Sequence, residues 1–273
     1  MHSRRAVVLG IATSLCAGCG APATLPSPQF LTANAPPVIQ ALYRNTERAE
    51  IGGEIELTAV VADGEARPSD IRYEWSATAG AFTGKGATVR WHAPAVAVPP
   101  FHQLRLDVIE RYTLIGAGRL LPSESRTSAG LTVHVNDSKT EVTKLAFTFI
   151  NDFVHPERSP EYCVRNFSDN CGGKADELSD VHRNRVQFIV NPVASTFAFR
   201  SMTFNTPANS PEQATGATVR LNCRFVSIRK ETGLTEVAEG ICRMTNVYEN
   251  FQWRLCESLF DPPSGSSATA FIF

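Results

Sequence analysis

The chain has 273 residues, of which 43% are hydrophobic and 19% charged, with a formal net charge of −1. That is the balance of an ordinary globular protein, with no basic excess to hold nucleic acid and no acidic tail. One large domain or two modest ones fit the length, and two fit better.

The first segment carries Arg4 and Arg5, then the apolar stretch Ala6 to Leu15, then Cys16-Ala17-Gly18-Cys19. A basic start followed by a short apolar run and a small-residue pair predicts an export signal over 1–18, cleaved before Cys19. The arrangement resembles the lipobox of bacterial lipoproteins, although Cys16 stands where that family prefers leucine. The resemblance implies that Cys19 becomes the first residue and is thioether-linked to diacylglycerol, with acyl chains such as palmitate. Gly20, in place of an aspartate, implies an outer-membrane address in a Gram-negative envelope. No later apolar run approaches the ~20 residues of a membrane-spanning helix, so membrane association rests on Cys19. Residues 19–36 hold Pro22, Pro26, Pro28 and Pro36 among small polar residues. They predict a tether reaching about 3.1 Å per residue where it is polyproline-like.

Over 37–137 the apolar period is two. Ile55, Leu57 and Ala59 alternate with Glu54, Glu56 and Thr58, and Ile71, Tyr73 and Trp75 with Arg72 and Glu74. Val89 and Trp91, then Leu104, Leu106 and Val108, then Leu131, Val133 and Val135 repeat the pattern, the last with Thr132 and His134 on the polar side. Gly52-Gly53, Asp63-Gly64 and Gly84-Lys85-Gly86 separate the runs, which predicts an antiparallel β-sandwich with Trp75 at its centre. Tyr112 to Gly130 reads as an inserted excursion. The strings Tyr73-Glu74-Trp75-Ser76-Ala77-Thr78-Ala79-Gly80 and Thr88-Val89-Arg90-Trp91-His92 resemble Ig-like or PKD-like modules of bacterial surface proteins. Ala79-Gly80 departs from the Gly-Asp-Gly turn of the PKD pattern.

From 138 to 273 the pattern becomes mixed. Val142, Leu145, Ala146, Phe149, Ile150 and Phe153 lie on one helix face, which Pro156 stops. Ser159-Pro160-Glu161 starts a second helix. Lys174 to Val190 predicts a third, with acids early and arginines late. Strands follow over Thr196 to Phe204, Ala217 to Arg229, Thr235 to Val247 and Phe251 to Phe260. The order of elements, with Cys163-Val164-Arg165-Asn166-Phe167 and Glu177-Leu178-Ser179-Asp180-Val181 in the helices, resembles the NTF2-like superfamily of ketosteroid isomerase and SnoaL. That resemblance implies an α+β cone, helices packed on a curved antiparallel sheet around a cavity. The fold class is therefore an all-β Ig-like sandwich followed by an NTF2-like domain.

Cys163, Cys171, Cys223, Cys242 and Cys256 follow residue 160. In an oxidising compartment they read as disulfide formers. A hairpin closing at Thr232-Gly233 sets Cys223 directly opposite Cys242. Cys163 and Cys171 are the second expected pair, with Cys256 a rival partner for either. Asp152, Asp169 and Asp180 are conceivable acids, Tyr162 and Tyr248 the tyrosines of the domain, and His155 and His182 conceivable bases. Each has a better structural reading, and the Asp63 and Asp70 turn supplies too few oxygens for Ca²⁺. The sequence thus assigns no catalytic residue, no metal and no cofactor. It predicts a lipid-anchored, exported envelope protein with a non-enzymatic binding or structural role. Its Ig-like module would be a spacer or interaction module, and its partner an envelope protein, a glycan or a small molecule. The alternative is an NTF2-like isomerase, dehydratase or hydrolase.

Overall fold

The computed structural model describes residues 34–64, 70–116 and 119–263. The expected signal segment, Cys19 and the expected tether as far as residue 33 lie outside them. From Ala35 onward the described residues belong to one compact unit.

The first half is a sandwich of two four-stranded sheets. One has the order β1 (Val38–Arg44), β3 (Glu54–Ala62), β6 (Thr88–His92), β5 (Ala81–Gly84). The other has β2 (Arg48–Glu50), β8 (Arg119–Asn136), β7 (Phe101–Gly116), β4 (Ile71–Ala77). Every pairing is antiparallel except β2 with β8. The alternating residues pack between the sheets: Ile55, Leu57, Val89, Leu104, Val133 and Val135 form one buried cluster, while Glu54 and Glu56 face water. Trp91, not Trp75, is the central tryptophan. Trp75 lies on the edge strand β4 and is half-buried, while Trp91 is fully buried and donates its Nε1–H to the Ala79 carbonyl. Gly80 makes that approach possible. Its φ is +80°, and a Cβ there would meet the His92 carbonyl at 2.4 Å.

The excursion over Tyr112 to Gly130 is strand, not loop. β7 and β8 pair without a break from Phe101↔His134 out to Gly116↔Arg119. Its outer part runs past the edge of the sandwich core and leaves even Leu114, Leu120 and Leu121 exposed, so no buried face imposes an alternation there.

The second half packs helices on a sheet. α1 (Ser138–Val154) is capped by Asp137, whose side chain accepts from the Thr140 N–H, and buries Val142, Ala146, Phe149, Ile150 and Phe153. α2 (Pro160–Cys163) is capped by Ser159. α3 (Gly173–Gln187) stops short of the expected Val190. Phe188–Val190 instead form β9, which pairs with residues 227–229. The β-branched and aromatic side chains there satisfy a sheet edge better than a helix end. The sheet runs β10 (Thr196–Phe204), β11 (Gly216–Arg229), β12 (Thr235–Glu249), β13 (Gln252–Asp261), all antiparallel. Bulges at Phe199/Ser201 and Thr245/Asn246 bend it around the helices.

Two disulfides are present among the described residues. Cys223 bonds to Cys242, but the register differs from the expected one: Cys223 faces Gly240 and Cys242 faces Leu221. The turn places Gly233 (φ +72°) at its end and not its centre, so the two cysteines are diagonal neighbours. The other bond is Cys171–Cys256, which corrects the expected Cys163–Cys171 pair. Cys163 is turned into the helix packing, where its thiol donates to the Asp152 carbonyl and accepts from Arg185. Cys171 instead sits where α3 meets β13, and Gly173 is so close that a Cβ would lie 2.2 Å from the Cys256 carbonyl oxygen.

Peptide mapping without reductant is expected to recover Cys171–Cys256 and Cys223–Cys242 as linked peptides, with Cys163 alkylated only after unfolding. Recovery of a Cys163–Cys171 peptide would overturn this pairing. Cys171→Ser opens a loop spanning 85 residues and is expected to lower stability by about 3–4.5 kcal/mol, measured by urea unfolding.

Candidate functional site

The space between helices and sheet is occupied by side chains. Phe149, Phe167, Phe188, Phe225, Met244, Trp253 and Leu255 are all buried in one cluster. Phe149 meets Phe167 edge-on at 5.2 Å between centroids, and Phe204 lies 6.0 Å from Trp253.

The acids named from the sequence are engaged elsewhere. Asp152 is buried and paired with Arg158 at 2.7 Å and with Arg165, which stacks on Tyr162. Asp169 is exposed and pairs with Lys174; Asp180 pairs with Arg183. His155 and His182 lie beside Glu157 and Glu161 near the surface. Among the described residues no three potential metal ligands cluster. One acid passed over in the sequence stands out. Glu177 on α3 is 3% exposed, and its Oε1 has no hydrogen-bond partner. Burial, with Asp180 and Glu257 adding negative charge, pushes its pKa from the usual 4.5 up to about 8.

A second polar group of residues joins the two halves. β2 pairs in parallel with the end of β8, Arg48 beside His134 and Glu50 beside Asn136. With one residue between members of each pair, all four point to the same side of the sheet. There they meet the start of α1 and the hairpin β12–β13. Glu50 accepts from the Ser138 N–H at 2.9 Å and from its hydroxyl at 2.6 Å. Ser138 Oγ accepts in turn from Trp253 Nε1 at 2.8 Å. Burial raises the Glu50 pKa, opposed by the Ser138 bonds and the Arg48 charge. The Arg48 guanidinium lies 3.7 Å from the centre of the Tyr248 ring and donates to the Pro211 and Ala214 carbonyls. Its Nη1 is buried without a partner. Tyr248 donates to Asn136 Oδ1 at 2.8 Å, the atom that His134 Nδ1 also contacts at 2.8 Å. Burial raises the Tyr248 pKa, opposed by Arg48.

Beside this network lies a groove of about 500 Å³, lined by Leu42, Arg44, Phe101, Thr132, His134 and Phe251. Phe101 and Phe251 are each about half exposed and meet edge-on at 5.9 Å, and both rings also contact His134. Phe251 is held there by its backbone. Asn250 (φ 50°) and Phe251 (φ 61°) are the two residues linking the paired ends Glu249 and Gln252. Positive φ at both positions is the pattern of a type I′ hairpin, where glycine is preferred second. A phenylalanine there carries strain of about 1–3 kcal/mol. A somewhat larger depression, about 580 Å³, lies along the β7–β8 arm, with Asp70, Tyr112 and the Arg111–Glu124 ion pair in its walls. The junction groove is the stronger candidate, because exposed aromatic rings there meet a buried, ordered polar network.

Sequence reasoning missed this site. The strand pattern put His134 on the solvent side, yet it is 6% exposed, covered by the second half of the chain. Asn250 was the one local signal of a turn, and Phe251 masked it.

Neither a protein-family model nor a curated protein matches the chain. Solved structures similar to it include a ketosteroid isomerase-like protein from Erwinia carotovora atroseptica SCRI1043. That overlap covers 45% of this chain and 94% of the other, at 11% identity and a TM-score of 0.37. A conserved protein from Planctomyces limnophilus DSM 3776 matches over 44% and 92%, at 12% identity and 0.35. An NTF2-like protein involved in plasmid conjugation matches over 69% and 75%, at 9% identity and 0.27. Scores of this size assign the chain to no family.

Because the Glu177 pKa is raised on folding, the stability it contributes is full below about 4.5, declines as pH rises, and is gone above about 8. Glu177→Gln is expected to flatten that slope and to be the more stable protein at pH 9, measured by thermal unfolding across pH. Arg48→Ala removes the stacked cation and its carbonyl bonds, and is expected to cost about 2–4 kcal/mol in urea unfolding.

Proposed function

We propose that this chain is an exported, lipid-anchored envelope protein that works by binding. An Ig-like sandwich and an NTF2-like cone would together present the junction groove. The observation that carries the binding role is the filled interior. Phe149, Phe167, Phe188 and Trp253 occupy the space a small substrate would need, and the exposed aromatic surface lies at the junction instead. Two disulfides suit an oxidising compartment and so support export. The lipid anchor rests on the sequence around Cys19, which lies outside the described residues.

The second reading, an NTF2-like isomerase, dehydratase or hydrolase, is favoured by Glu177, a buried carboxyl that holds its proton near neutral pH. Neither the junction groove nor the depression on the arm includes it.

Cys19→Ser is expected to move the protein from the membrane pellet to the soluble envelope fraction. The native protein is expected to show the mass of an acylated chain beginning at Cys19. Unchanged fractionation of the variant, with an unacylated mass for the native protein, would remove the anchor from the proposal.

A further inference from the structure

We propose that the junction groove takes a neutral oligosaccharide, with Phe101 and Phe251 as stacking faces and His134 Nε2 as acceptor for a sugar hydroxyl. This rests on the binding role argued above and names its ligand class.

The argument starts from the imidazole. Asn136 turns its Nδ2 toward the Glu141 carboxylate, at 3.3 and 3.4 Å, so its Oδ1 faces Tyr248 and His134. That oxygen accepts, so His134 Nδ1 donates to it, and the acceptor of the neutral ring is Nε2. Nε2 has no hydrogen-bond partner among the described residues, and it is not among the fully buried atoms that lack one. A ring that is nine-tenths buried thus presents one fixed lone pair to the groove it lines.

The walls select the ligand. Each exposed phenyl face is the negative pole of a quadrupole, which suits the weakly positive C–H face of a pyranose. Arg44 is paired with Glu47 at 3.4 Å, so the rim has donors and acceptors but no net charge. A neutral polyhydroxylated ligand meets both conditions, and an anionic one gains little. An extended peptide is less well served. β8 is paired on one side with β7 and, at His134, on the other with β2, so its backbone offers no edge for an added strand. The Thr132 carbonyl is also occupied by Arg44. Finally, Phe251 stands at a turn position that favours glycine, and the side chain that occupies it is the one that forms the wall.

The test is calorimetric titration of the protein, without its signal segment, with β-1,4-glucose, α-1,4-glucose and β-1,4-N-acetylglucosamine tetramers and with an extended aromatic-rich peptide. One tetramer is expected to bind, with little dependence on salt. Phe251→Gly suits the backbone and is expected to keep the melting temperature while weakening binding by at least about tenfold. His134→Phe is expected to weaken it too, and an unchanged affinity in Phe251→Gly would overturn the site. Binding of the peptide but of no tetramer, lost in Phe251→Gly, would overturn the sugar class and leave the binding role standing. Binding of neither would overturn both.

Discussion

The Arg48 guanidinium, withdrawn from water and laid on the Tyr248 ring, is the contact on which the arrangement of the two halves depends. A cation costs several kcal/mol to bury unless its donors are met. Here the π-face and the carbonyls of Pro211 and Ala214 meet part of that demand, all from the second half of the chain, while the arginine belongs to the first. Glu50, next but one along β2, repeats the crossing with Ser138. Rotating one half against the other would leave a charged and a polar group buried and unpaired, which disfavours alternative packings more strongly than apolar contact alone.

Local pattern made the elements legible. Ile55, Leu57 and Ala59 read as strand because burial there alternates, and Val142, Phe149 and Phe153 as helix because it recurs at three and four. What stayed hidden was set by contacts between distant segments. Trp75 and Trp91 sit in similar strings; only the strand order, with β4 at an edge and β6 inside, decides which is central. The cysteine pairing depended on α3 crossing β13, which no spacing between Cys163 and Cys171 encodes. The Cys223–Cys242 register depended on where Gly233 falls in its turn. Phe188 and Ile189 fit a helical face and a strand equally well, and pairing with β11 decided between them.

The site was hidden for a sharper reason. Arg48, Glu50, His134 and Asn136 have the sequence pattern of a solvent face, polar residues alternating with apolar ones. For a sandwich folding alone that reading would stand. A second body covers the face, and polar residues chosen to satisfy one another become a buried network. Sequence periodicity reports which residues avoid the sandwich core, but it cannot report what lies on the other side of the sheet.

That network also explains why the groove beside it suits recognition. A hydrogen-bonded set of this kind adds little net stability over an apolar packing of the same volume. Its effect is to fix positions: Asn136 orients His134, Glu141 orients Asn136, and the Tyr248 hydroxyl is held against both. A ligand meeting groups already fixed loses less free energy in ordering them. The strained turn at Asn250-Phe251 acts the same way, holding an aromatic ring at the rim by backbone geometry and by contact with Phe101. Between the helices and the sheet of the second half, by contrast, the aromatic residues fill space and stabilise. The division of labour follows from where the rings end: those closed in by helices contribute burial, and the two left half-bare at the junction are free to contribute contact.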